Sequence, residues 1–147
     1  MRGGAVAAAI FMATAGGCAI WVHMASTDYT EPQKITPLLA GTAAGLYVGW
    51  FQLSRKLGSG YIPSGLFGVG AGVVAFLIFA FLTGLRTAYY FHQTMQFGTA
   101  RQALFSVLDT TVDVFRAAMS EHHAVLTLLA LSFAAGVLSE ALNRLWR

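Results

Sequence analysis
Asp109 and Asp113 lie four residues apart in the run "ALFSVLDTTVDVF", and side chains at that spacing project from one side of a helix. With His122 and His123 just downstream and His92 upstream, they offer an oxygen and nitrogen set of the kind a divalent metal uses. A second chemistry, anion capture, would draw on Arg86, Arg101 and Arg116, but Arg101 falls off the main polar stripe and no convergent trio results. The competing reading is a solvated helix side. There Asp113 and Arg116 pair at three-residue spacing for about 0.3 kcal/mol, and His122 and His123 are boundary residues. On that reading Asp109, Asp113, Arg116, His122 and His123 form a polar surface for docking, and no metal or cofactor is assigned. This surface reading is the expectation.

Other reaction signatures are missing from the sequence. It has no phosphate-binding glycine loop before Lys-Ser or Lys-Thr, no HExxH and no GxSxG. The glycines of "GLFGVGAGV", Gly65 to Val73, open an apolar run and do not follow a strand. Cys18 is the only cysteine, which excludes an intrachain disulfide and a thiolate zinc site within this sequence. Nine basic residues are spread along the chain without forming a stripe, so nucleic acid is not an expected partner. The expectation is a non-enzymatic protein.

The elements that position these residues are apolar. Of 147 residues 56% are hydrophobic and 10% charged, with a mean hydropathy of +0.64, against roughly a quarter charged in a soluble domain. Crossing a hydrocarbon core of about 30 Å takes about 20 apolar residues of helix. Gly3 to Thr27, Ile35 to Ser54 and Leu57 to Leu85 contain no Asp, Glu, Lys or Arg. The fourth segment, Ala124 to Ser139, needs Ala141 and Leu142 beyond Glu140, whose side chain is expected to snorkel outward. The predicted spans are 4–26, 36–54, 63–88 and 123–143 in a single membrane domain, 1–147. Trp50, Tyr61, Tyr89, Tyr90 and Trp146 fall at their ends, where amphipathic rings suit the headgroup level.

Short loops set the orientation. Arg2, Arg55, Lys56, Arg144 and Arg147 fall on one side, and Lys34, Arg86, Arg101 and Arg116 on the other. Three of that second group belong to a longer segment with its own helix, so the short-loop comparison places both termini in the cytoplasm. The N-terminal run ending "AGGC" mimics a lipoprotein signal. It has Ala15 where leucine is usual and continues through "AIWVHMA", so an uncleaved span is expected.

Gly41, Gly45 and Gly49 in "GTAAGLYVG" each cost a helix about 1 kcal/mol relative to alanine in water. In lipid, small residues four apart let helix backbones approach closely. Gly68 and Gly72 repeat the spacing in span three, and Gly16, Gly17 and Gly136 add small surfaces in spans one and four. These glycines are assigned to packing, either within the chain's own bundle or against a second copy. Residues 98–120 differ in kind. Ala100, Leu104, Val107, Leu108, Thr111, Phe115, Ala118 and Met119 recur at helical spacing opposite Gln102, Ser106, Asp109, Thr110, Asp113 and Arg116. The pattern predicts an amphipathic helix on the non-cytoplasmic surface between spans three and four, its apolar side against lipid or the bundle.

From about residue 38 onward the chain resembles the TrgA family of small proteobacterial membrane proteins associated with tellurite resistance. The resemblance rests on Gly49-Trp50, the turn Gly58-Ser59-Gly60-Tyr61, "GVGAGVVAFLIF", the helix "ALFSVLDTTVDVF" and the ending "GVLSEALNRLWR". Asp109, Asp113 and Val114 depart from the family pattern, where glutamates and an aromatic residue are more usual, and Phe97-Gly98 stand where a proline often precedes the helix. The resemblance implies a bacterial inner-membrane protein linked to tellurite resistance and carries over no catalytic residue. The alternative is an accessory or structural subunit of a larger respiratory, photosynthetic or transport complex. Such a subunit would dock through the glycine-rich faces and the surface helix, with the lipid bilayer and other membrane subunits, or itself, as partners.

Overall fold
A computed structural model describes residues 2–25, 31–93, 99–120 and 122–146, and these are all helical apart from short turns. Thr27, Phe97, Gly98, Glu121 and Arg147, together with the side chains of Arg2, Lys34, His92, Ala100 and Ala118, lie outside what is described. The helices are α1 (Arg2–Ala25), α2 (Glu31–Val48), α3 (Tyr61–Gln93), α4 (Ala100–Ser120) and α5 (His122–Leu145). Helix α2 runs on through a π-helical turn, Gly49–Leu53, and a 3-10 turn, Ser54–Lys56. Among the described residues three helices are long and apolar enough to cross a membrane: Gly3–Met24, Tyr61–Tyr90 and His122–Leu145.

Helices α1 and α2 run antiparallel, backbone against backbone. A Cβ on Gly16 would overlap the Gly41 carbonyl, one on Gly45 the Met12 carbonyl, and one on Gly49 the Ala8 carbonyl. Residues four apart drift by about 40° around an α-helix, so a strict spacing of four cannot face one neighbour for long. The wider π turn at Gly49–Leu53 resets that drift and puts Leu53, the next residue in the series, fully inside the core. The core is built largely from small side chains, Ala8, Ala44, Ala71, Ala75 and Ala135, around Met12, Val48 and Leu53. Such a core works only where helices nearly touch, because dispersion falls off within an ångström of contact.

Helices α3 and α5 repeat this arrangement. The Gly68 position abuts the Ser132 carbonyl and Gly136 Cα, and the Gly136 position abuts the Ser64 carbonyl. Helix α3 runs from Tyr61 to Gln93, beyond the predicted 63–88. Pro63 is tolerated in its first turn, and no breaker follows. At 33 residues, against 24 in α1 and in α5, it extends about 50 Å by the helical rise.

Helix α4 packs antiparallel on the far part of α3, with Val107 and Thr111 against Gly84 and the rings of Phe115 and Phe76 6.0 Å apart. It starts at Ala100 rather than residue 98 because Thr99 caps it. The Gln102 N–H donates to Thr99 Oγ1 at 3.4 Å, and the Thr99 N–H donates to Gln102 Oε1 at 3.2 Å, a reciprocal capping box. Buried Val107 and half-buried Ala103, Ser106, Thr110, Thr111 and Val114 form the packed side. Leu104, Phe105, Leu108, Val112 and Met119 form a separate, exposed apolar stripe. The helix therefore has three sides where the sequence pattern suggests two.

Several hydroxyls within the helices are satisfied locally. Thr42 donates to the Leu38 carbonyl, Thr83 to Phe79, Thr111 to Val107 and Ser139 to Ala135, the bond from residue i to carbonyl i−4 that a helix in lipid allows. At one end of the bundle Gly3 meets Trp146 and Gly4 meets the Asn143 amide. The start of α1, the turn after Lys56 and the end of α5 thus share that end.

Candidate functional site
Glu140 is the one acidic side chain among the described residues that is fully buried. The outward snorkelling expected from the sequence does not occur, because partners at this end of the bundle take up both carboxylate oxygens. The Gly58 N–H donates to Oε2 at 2.5 Å, the Ser64 hydroxyl donates to the same oxygen at 3.3 Å, and Arg144 Nε–H donates to Oε1 at 2.8 Å. A buried carboxylate without such donors would be strongly disfavoured. Here two neutral donors and one cation converge on it.

Each partner is positioned by local sequence. Gly58 and Gly60 adopt φ of +102° and +116°, a left-handed conformation that only glycine enters freely, and this tight turn aims the Gly58 N–H at α5. Ser64, fully buried, sits in the first turns of α3, where its own N–H donates to the Gly60 carbonyl at 3.0 Å. Arg144 lies one turn after Glu140 on α5 and half-exposed, with its guanidinium 4.5 Å from the Tyr61 ring centroid, within cation–π range. Tyr61, expected as an interface aromatic, thereby also orients the arginine.

The arrangement ties three segments together: the turn after α2, the start of α3 and the end of α5. With both oxygens engaged, the carboxylate acts as a fastening point between these segments. No family model, curated protein or solved structure matches this chain. The assignment of the Glu140 cluster therefore stands on its geometry.

The residues singled out from the sequence lie elsewhere. Asp113 and Arg116 form an ion pair at 3.5 Å with both side chains largely exposed. Asp109, His122 and His123 are exposed as well. Among the described residues no three His, Cys, Asp or Glu side chains are close enough to hold a metal ion. Gly41, Gly45 and Gly49 face α1, and Gly68 and Gly72 face α5. Ser132 Oγ, fully buried against Gly72, has no hydrogen-bond partner. Sequence reasoning missed Glu140 although signals were present. It is an ionisable residue inside an otherwise apolar run, with Arg144 four residues later in the favourable order.

Proposed function
We propose that the chain is a non-enzymatic multi-pass protein of a bacterial cytoplasmic membrane that works through helix packing, and that it is associated with tellurite resistance as its resemblance to TrgA proteins implies. The observation that carries the membrane part of this reading is the depth match between α1 and α2. Helix α1 is apolar enough to span, and α2 follows it through Gly16 with Gly41, Met12 with Gly45 and Ala8 with Gly49. A bilayer that holds α1 would hold α2 at the same depth, which supports reading α2 as a fourth span with both ends of the chain on one side. Arg55, Lys56 and Arg144 gather at that side, in favour of a cytoplasmic location. On this reading α4 lies at the opposite interface, its apolar stripe toward lipid and Asp109, Asp113 and Arg116 toward water. With Cys18 replaced by alanine and Ser59 by cysteine, an impermeant thiol reagent is expected to leave the new cysteine unlabelled in intact cells and to label it in inverted vesicles. Labelling in intact cells would reverse the orientation.

A second reading, an accessory subunit of a larger membrane complex, is favoured by the exposed stripe Leu104, Phe105, Leu108, Val112 and Met119. Since Gly41, Gly45, Gly49, Gly68 and Gly72 are engaged inside the bundle, docking would fall to α4. Deletion of the gene, scored for growth in tellurite, combined with mass measurement of the tagged protein in mild detergent, separates the two. Tellurite sensitivity with the protein running alone supports the first reading. A stable large complex with unchanged tolerance overturns it in favour of the second.

A further inference from the structure
We propose that the cleft where α1, α3, α4 and α5 diverge holds one acyl chain of a zwitterionic phospholipid. The cleft has a volume of about 530 Å³, within the 300–1,000 Å³ range of ligand cavities. Its walls are mainly apolar, Ile20, Phe76, Phe79, Leu128 and Leu129, with His23, Thr83, Thr110 and Asp113 as the polar residues of the lining. The room is left by small residues: Gly16 and Ala19 on α1, Gly41 on α2, Ala75 on α3, Ala117 on α4 and Ala124 on α5 all line it. Since α1, α3 and α5 are the helices apolar enough to span, hydrocarbon is the available filling.

The polar part of the lining selects the head of the occupant. Asp113 lies at the cleft and carries Arg116 3.5 Å away, both largely exposed and free to turn. A head with one ammonium and one phosphate matches this pair, with the ammonium toward Asp113 and the phosphate toward Arg116. An isoprenoid quinone presents only carbonyl acceptors and would need a donor directed into the cleft. The Thr83 hydroxyl, which lines it, is already donated to the Phe79 carbonyl at 2.9 Å; His23 and Thr110 line the cleft too, so a quinone is the competing occupant that competition with decylubiquinone separates. The charge pair, which a neutral quinone does not match, assigns the occupant as phospholipid.

The test uses the full chain in mild detergent with a phosphatidylethanolamine carrying a diazirine in one palmitoyl chain, crosslinked and mapped by peptide mass spectrometry. Saturable labelling at Ile20, Phe79 or Leu129, competed by dioleoyl phosphatidylethanolamine, is expected. Val125→Trp, which fills the cleft from α5, should weaken labelling by about tenfold or more, whereas Ala130→Trp on the exposed side of α5 should leave it unchanged. If Val125→Trp does not elute as a single species, Ala117→Trp fills the cleft from the exposed helix α4. Combined Asp113→Asn and Arg116→Gln should abolish any preference for phosphatidylethanolamine over phosphatidylglycerol. Non-saturable labelling spread over Phe81 and Leu85, or competition by decylubiquinone and not by the phospholipid, would overturn the proposal.

Discussion
Gly45→Leu is expected to abolish the folded bundle while leaving membrane insertion intact. A Cβ at this position overlaps the Met12 carbonyl oxygen and comes within 3.0 Å of Ala13 Cα. Both are backbone atoms of a helix that is itself held by Gly16 and Gly49, so no rotamer change relieves the overlap. Overpacking of a core ordinarily costs about 1–3 kcal/mol, and a clash between two backbones belongs at or above the top of that range. Insertion depends on the apolarity of each segment and not on their contact, so the protein should still be found in the membrane fraction. Gly70→Leu is the matched control, because nothing lies within 4 Å of a Cβ there. Thermal aggregation in detergent should separate the two variants widely. A Gly45→Leu protein that melts with the parent would show that α1 and α2 do not pack as described.

Glu140→Ala should release the turn after α2. Removing the carboxylate leaves the Ser64 hydroxyl and Gly58 N–H without their acceptor, and a buried donor left unpaired costs about 1–3 kcal/mol. Arg144 is half-exposed and can turn to water, so the loss of its ion pair adds little. The effect should be local: faster tryptic cleavage at Arg55 and Lys56 and faster hydrogen exchange at the Gly58 amide. Glu140→Gln keeps one acceptor oxygen and should fall between the parent and the alanine variant. Arg144→Ala leaves the carboxylate buried without its cation and is expected to destabilise more than Glu140→Ala, since an unpaired buried charge is worse than none. The combined variant should be milder than the sum. Unchanged cleavage and exchange in Glu140→Ala would remove the fastening role.

Much of the helical layout was present in local pattern. Uncharged runs set α1, α3 and α5, because a helix in lipid must be apolar over its own length and needs no distant residue to be so. The glycine spacing in α2 and α3 announced close approach for the same reason, a missing side chain being a property of the sequence itself. Helix ends were less legible. The Thr99 and Gln102 box was present in the sequence, yet it marks a helix start only when both hydrogen bonds form.

Which helix each glycine meets was decided by tertiary structure alone, since a small residue serves any neighbour. The three-sided character of α4 arose the same way: α3 covers the side centred on Val107 and leaves Leu104, Leu108 and Val112 open. Glu140 is the clearest case. In the sequence it is one charge near the end of an apolar segment, equally able to snorkel or to pair. Its burial depends on Gly58 and Ser64, 82 and 76 residues away, and on a positive φ that places an amide beside it. A charge buried at the end of a helix bundle is stable only where donors from separate segments converge, and that convergence exists only once the bundle has formed.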